Sequence, residues 1–305
     1  VVEVKTVPAR HNYKEIKDLS KLLDIPDPVG STKRDGAAFW VVFDKTGSPH
    51  FISRKPSVTG SAIERTAQLP HVTEGVQIPE LAGHVLYSEL VHTGHSPTGP
   101  DRHALLSGVL NSGLDKSIEA QKQLGPVRVI LTDVKHPSLP TYGEKIEAIK
   151  RVARLWDKPG LVEPADFTEG HESIRNLIDR TRLAGREGVI ITSLSKPESS
   201  NPRFKVKHFN TYNLRVSGFQ EEKDINGVPK GRLGALLVTD ADGREVAAVG
   251  TGFTHALRQD IWDNRGKWLD KLIQVKAMPT TARRLRAPVY NGDADGEIDA
   301  VLPLI

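Results

Sequence analysis

Lys33-Arg34-Asp35-Gly36 stands in a loop directly before the apolar run Ala37-Ala38-Phe39-Trp40-Val41-Val42-Phe43. A Lys-Thr-Gly-Ser turn separates that run from His50-Phe51-Ile52-Ser53, and the two runs read as the strands of a hairpin. Alone, a Lys-x-Asp-Gly string is a common charged turn entering a strand. It gains meaning from further short strings in fixed order along the chain: Ser53-Arg54, Ser88-Glu89-Leu90-Val91, Glu187-Gly188-Val189-Ile190-Ile191 and Lys205-Val206-Lys207.

Working outward, Ile16, Leu19, Leu22 and Leu23 recur at helical spacing and predict a helix over 13–23, ended by Pro26 and Pro28. Residues 85–91 and 127–131 read as strands. Thr141 followed by Glu144 is a capping box, opening a helix that carries Ile146, Ile149, Val152 and Leu155. A second helix over 172–183 stops at Gly185, and Val189-Ile190-Ile191 follows as a buried strand. Beyond Asn213 the texture changes to short strands at 214–219, 233–239, 245–249 and 272–277, with one helix around 254–264. That density suits a small Greek-key barrel of the OB type. The expected fold class is α+β: mixed or antiparallel sheets with helices over 1–210, then an OB-fold β-barrel over 211–305.

The 305 residues favour two domains of ordinary size. No uninterrupted apolar run approaches the roughly 18 residues of a bilayer span, and no secretory pattern opens the sequence, so an intracellular, cytoplasmic protein is expected. Cysteine is absent, which removes disulfides, thiolate chemistry and cysteine-ligated zinc. The formal charge of +4 makes an anionic partner plausible, although 38 acidic residues nearly balance 42 basic ones.

Taken together, the ordered strings resemble the nucleotidyltransferase motifs of the ATP-dependent DNA ligases, and the resemblance covers nearly the whole chain. It is closest to the minimal phage or bacterial type, an adenylation domain followed by an OB domain. The stretch Gly231-Arg232-Leu233-Gly234-Ala235-Leu236-Leu237 through Val249-Gly250-Thr251-Gly252-Phe253 is similar to the family's OB domain. The resemblance implies that ATP adenylates Lys33, that AMP passes to the 5′-phosphate of a nick in duplex DNA, and that the adjacent 3′-hydroxyl displaces it. It implies nucleotide-binding roles for Asp35, Glu89, Lys205 and Lys207, metal-binding roles for Glu89 and Glu187, and a DNA-phosphate contact for Arg54. Arg283, Arg284 and Arg286 form a basic group suited to the DNA backbone or to standing in for the basic C-terminal motif that orients pyrophosphate in the family.

The chemistry of these residue types agrees. A lysine amine attacks phosphorus only when neutral, whereas a free lysine at pH 7 is almost wholly protonated. Asp35, if close, would oppose loss of that proton, so Mg²⁺ (or Mn²⁺) or basic neighbours are expected to supply the opposing field. Mg²⁺ takes one or two carboxylates with phosphate oxygens and water, which suits Glu89 and Glu187. Lys205 and Lys207 alternate on a strand, so both side chains share one face and can grip triphosphate oxygens.

Three positions depart from the family pattern. Ala38 stands where ligases often carry Arg or Asn. Thr132 precedes Asp133 where the family has an aromatic that stacks on adenine. Asn291-Gly292-Asp293-Ala294-Asp295-Gly296-Glu297 is acidic where the family offers Arg and Lys. This last stretch also mimics an EF-hand loop through Ile298, but Leu302 occupies the place of the bidentate Glu, and an acidic hairpin turn is the expected form. Absence of cysteine, with Lys33 early in the sequence, points to ATP rather than NAD. An RNA ligase, a capping-type nucleotidyltransferase and a non-catalytic nucleic-acid clamp are the competing readings. A monomer is the default.

Overall fold

The structure is a computed structural model that describes residues 13–53, 62–96, 98–135, 138–201, 203–278 and 283–302. The chain divides into two compact units, Val1–Val206 and Lys207–Ile305.

In chain order the first unit runs β1 (Tyr13–Glu15), β2 (Pro28–Lys33), β3 (Ala37–Phe43), β4 (Pro49–Ser53), α1 (Pro70–Thr73), β5 (Val85–His92), α2 (His103–Asn111), α3 (Leu114–Leu124), β6 (Val127–Lys135), α4 (Tyr142–Trp156), β7 (Val162–Pro164), β8 (Thr168–Glu169), α5 (His171–Leu183), β9 (Gly188–Ser193) and β10 (Arg203–Lys207). The strands form two five-stranded sheets, ordered β1-β10-β9-β2-β8 and β4-β3-β5-β6-β7.

Each sheet buries one face under helices. In α5, Ile174, Leu177, Ile178 and Thr181 recur at three- and four-residue spacing, and the three apolar ones pack on Val189, Ile191 and Val206 of the first sheet. In α4, Ile149, Val152 and Trp156 join Val129 and Leu131 of β6 and Leu86 and Leu90 of β5. The expected capping box is present: Thr141 Oγ1 accepts from the Glu144 N–H, and the Glu144 carboxylate accepts from the Thr141 N–H at 2.9 Å. Gly47 carries the β3–β4 turn with φ +79°; a side chain there would meet the Ile78 carbonyl.

Two local expectations differ from the structure. The helix over 13–23 is instead strand β1 followed by a 3₁₀ helix, Leu19–Asp24. Tyr13, Lys14 and Glu15 pair in parallel with Arg203, Phe204 and Lys205, a distant partnership that local periodicity does not show. Ile16 and Leu22 are buried as the spacing required, while Leu23 stays 61% exposed. Lys33 also differs, because it is the last residue of strand β2 rather than part of a loop.

The second unit is one five-stranded antiparallel sheet of β11 (Asn210–Lys223), β12 (Pro229–Thr239), β13 (Glu245–Val249), β14 (Leu272–Met278) and β15 (Arg286–Asp293), with α6 (His255–Asp263) and α7 (Arg265–Trp268) before β14. Its order is β13-β12-β11-β14-β15. The Leu285 N–H donates to the Val246 carbonyl and the Tyr290 N–H to the Thr251 carbonyl, so the two ends of the sheet are drawn together around Val238, Val246, Ile261 and Val275. The acidic stretch is not a hairpin turn. Asn291–Asp293 completes β15, Lys271 Nζ donates to Asp293 at 2.8 Å, and the Asn213 N–H donates to Asp299 at 2.7 Å.

Thr141→Ala removes the cap acceptor of α4 and is expected to cost about 1 kcal/mol. Leu183→Ala, at a position 89% exposed, should change stability by less than about 0.5 kcal/mol. Urea unfolding of the two variants beside wild type measures the contrast.

Candidate active site

Register builds the centre of the site. β2 and β9 pair antiparallel from Pro28↔Ser193 to Lys33↔Gly188, so the residue before β9, Glu187, falls beside the last residue of β2. Lys33 Nζ donates to Glu187 Oε2 at 2.5 Å, with the lysine side chain 24% and the glutamate side chain 7% exposed. Asp166 secures the strand end, because its carboxylate accepts the Thr32 N–H at 2.7 Å.

Gly36 brings the second sheet to this pair. A Cβ built there would lie 2.1 Å from the Leu90 carbonyl oxygen and 2.8 Å from Glu89 Cγ, so only glycine lets the 33–36 turn approach β5 this closely. Glu89 sits mid-strand between Ala38 of β3 and Ile130 of β6. It shares a face with Tyr87 and Val91, while Ser88 on the opposite face is fully buried and donates to the Phe39 carbonyl.

One carboxylate that sequence reasoning did not single out organises the turn. Asp101 accepts from Arg34 Nη2 at 2.6 Å and Nε at 3.0 Å, from Arg186 Nη1 at 3.2 Å, and from the Asp35 N–H at 2.9 Å. Burial pushes the Arg186 guanidinium below its ordinary range, against the pull of Asp101. His103 Nδ1 stands 3.5 Å from Asp35.

A second buried carboxylate, Asp133, accepts from Arg203 Nη2 at 2.7 Å and lies 3.4 Å from Lys145 Nζ. Burial disfavours the charged form of Arg203, but Asp133 together with the Tyr142 and Tyr13 phenols outweighs it and holds the guanidinium above its usual range. Arg203 also covers the Tyr142 ring at 4.9 Å, and burial raises both the Tyr142 and Tyr13 phenols, the latter to about 12. Thr132, where the family has an aromatic, uses its hydroxyl on the Tyr87 carbonyl at 3.2 Å and its own carbonyl to accept from the Tyr142 phenol at 2.7 Å.

Of the expected site residues, the structure brings Lys33, Asp35, Glu89 and Glu187 together. Lys205 lies on β10, which the sheet order separates from β2 by β9. Its side chain falls on the face of Arg203, opposite Phe204 and Val206 in the core; Lys207 closes the same strand. Arg283 and Arg284 are exposed and Arg286 half-buried in the second unit, with Arg284 Nη2 donating to Glu245 at 3.2 Å. Arg54 lies outside the described residues. Among the described residues no cluster of three or more His, Asp or Glu side chains could hold a metal, and no helix is long and apolar enough to cross a membrane. Glu89 and Glu187, the two carboxylates expected to bind metal, would leave most of a Mg²⁺ shell to phosphate and water, a division that this ion accepts.

The α+β fold, a unit of two five-stranded sheets with flanking helices and then a unit built on one five-stranded antiparallel sheet, has counterparts among solved structures. Among solved structures, the chain is similar to Pmar-Lig_PreS3, with a TM-score of 0.69 and 18% identity over 92% of this chain and 66% of that one. Pmar-Lig_Pre gives a TM-score of 0.67 and 19% identity over 91% and 66%. A structure from a study of Lig E DNA ligases, described as DNA binding with a minimal scaffold, gives 0.67 and 16% over 94% of this chain and 100% of that one. The chain thus spans about two thirds of the length of the first two. At these identities the likeness is one of fold. No protein-family model and no curated protein matches the chain.

Asp133→Asn leaves Arg203 and Lys145 facing a neutral amide in a buried place. We expect a loss of about 3–5 kcal/mol in unfolding free energy by urea titration, against no resolvable change for Glu147→Gln, whose pairing with Lys150 is exposed.

Proposed function

We propose that the chain is an ATP-dependent DNA ligase that seals nicks in duplex DNA through a lysyl-AMP on Lys33 and then a DNA-adenylate. The observation that carries the reading is the Lys33–Glu187 pair at 2.5 Å, set against Glu89 by the close approach of Gly36. A lysine at a strand end, half-open and held by a buried carboxylate, has the access and the partner that a nucleophile needs. The similarity in fold to a Lig E DNA ligase over that protein's full length is consistent with it.

In the first step Lys33 Nζ attacks the α-phosphorus of ATP. The Nζ–P bond forms, the bond to the bridging oxygen breaks, and pyrophosphate leaves. The amine must shed its proton for this, and Glu187, already its hydrogen-bond partner, is placed to receive it. Asp35 and Glu89 bind the nucleotide, and Lys205 and Lys207 hold the triphosphate from one strand face. Mg²⁺, held by Glu89 and Glu187, would offset negative charge on the phosphates and the leaving group. In the second step a 5′-phosphate oxygen displaces Nζ from AMP and restores the free lysine. In the third, the 3′-hydroxyl attacks that 5′-phosphate and AMP leaves.

Residues 1–210 serve as the adenylation domain and residues 211–305 as the OB domain. Arg54, Arg283, Arg284 and Arg286 contact DNA phosphates without reading bases, as sealing at any sequence requires. The setting is cytoplasmic and the protein acts as a monomer.

Incubation with Mg²⁺ and α-labelled ATP should label the protein, and the label should pass to nicked duplex DNA. Lys33→Ala should abolish labelling while retaining DNA binding. Labelling by GTP in place of ATP would redirect the reading to capping-type chemistry, and a Lys33→Ala protein that seals nicks from ATP would overturn it.

A further inference from the structure

The two members of the Lys33–Glu187 pair each have an arginine next to them in sequence, Arg34 after the lysine and Arg186 before the glutamate. Both arginines converge on Asp101. Asp101 belongs to neither strand. It arrives on the segment between β5 and α2, its side chain is only 3% exposed, and its second oxygen accepts the backbone N–H of Asp35 at 2.9 Å.

The β2–β9 ladder stops at Lys33↔Gly188, so residues 34–36 and 186–187 lie beyond the last strand pair. Asp101 supplies a tie where the ladder has ended. Its charge has a second effect. A guanidinium is a fork of donors that seeks carboxylates, and two of them sit one residue away from Lys33 and Glu187. While Asp101 takes the Arg34 fork and one arm of Arg186, whose other arm donates to the Thr98 carbonyl at 3.0 Å, Glu187 remains the partner of Lys33. Without that charge the arginines would compete with Lys33 for Glu187, and the turn would lose its anchor.

We propose that Asp101 is a positioning residue for the nucleophile: by holding Arg34, Arg186 and the Asp35 N–H it fixes the Lys33 amine on Glu187 at the end of the β2–β9 ladder. This rests on the reading of Lys33 as the residue that takes AMP. Attack on phosphorus requires the reacting atoms at about 3–3.5 Å and aligned, and a misplacement of about 1 Å can cost about 10²-fold in rate. Binding of ATP, by contrast, draws on Glu89, Lys205 and Lys207, which Asp101 does not hold, with Asp35 the one shared contact, so the maximal rate should fall far more than the ATP dependence shifts.

The test is the rate of lysyl-AMP formation by the full chain across ATP concentrations, for wild type, Asp101→Asn, Asp101→Glu and Arg34→Gln. We expect Asp101→Asn to lower the maximal rate about 10²-fold while the ATP concentration giving half that rate shifts far less. Asp101→Glu restores the charge and should recover part of the rate. Should Asp101→Asn not fold, Arg34→Gln frees the turn while leaving Arg186 paired, and the same separation is expected with a smaller drop. A labelled wild type beside variants of unchanged maximal rate would overturn the positioning role alone, as would a loss in which rate and ATP dependence fall together. A wild type that takes no label from ATP would overturn the reading of Lys33 and the positioning role with it.

Discussion

The site depends on a single strand register. Lys33 and Glu187 lie 154 residues apart in sequence, and nothing local brings them together. The antiparallel pairing of β2 with β9 does so, because Gly188 opposite Lys33 leaves Glu187 at the lysine's side. Side chains alternate along a strand, so a slip of one residue would turn the lysine to the α5 face, among Ile174 and Ile178. The apolar residues that fix the register, Val189 and Ile191 against α5, therefore also fix the chemistry. Core packing and site geometry in this unit are one constraint.

Charge is handled by a repeated device, a buried aspartate between two cations. Asp101 holds Arg34 and Arg186, and Asp133 holds Arg203 and Lys145. A buried ion pair contributes little net stability compared with apolar packing, yet losing one member is costly because the other is left in a poor solvent. Such pairs serve geometry better than stability. Each joins elements that the sheet ladders leave apart: Asp101 links the β5–α2 segment to the ends of β2 and β9, and Asp133 links β6 to β10 and α4. The exposed pairs, such as Glu147 with Lys150, have no comparable effect, since water can replace either partner.

Much of this was legible in the sequence wherever the signal was local. The β3–β4 hairpin, the Thr141 capping box, the apolar faces of α4 and α5 and the strand at 188–193 follow from residue spacing alone. The signal failed where a distant partner decides the form. Tyr13–Glu15 looks helical by its apolar neighbours, but the free edge of β10 recruits it as a strand. Lys33 looks like a turn residue because Asp35 and Gly36 follow it, and only β9 reveals the strand. Asp133 was marked only as the aspartate after Thr132, and Asp101 not at all, since a lone aspartate 67 residues from its partner gives no spacing to read. The one available hint to Asp101 was the arginine beside each of Lys33 and Glu187, which must find counter-charge somewhere.

The departures from the family pattern take on physical sense in the fold. Thr132 does not leave a gap, because its hydroxyl and carbonyl anchor Tyr87 of β5 and Tyr142 of α4, and Arg203 covers the Tyr142 ring. An aromatic platform must have an open face, so a buried tyrosine beneath a guanidinium serves packing rather than stacking. The acidic stretch is likewise absorbed. Asp293 takes Lys271 and Asp299 takes the Asn213 N–H, which joins the end of the second unit to β11 and β14. Asp293 is committed to Lys271, and no group of three or more acidic or His side chains that could hold a metal occurs among the described residues, so the resemblance to a calcium loop ends at composition. In both places the residue present, Thr132 or Asp293, closes a hydrogen bond within the protein.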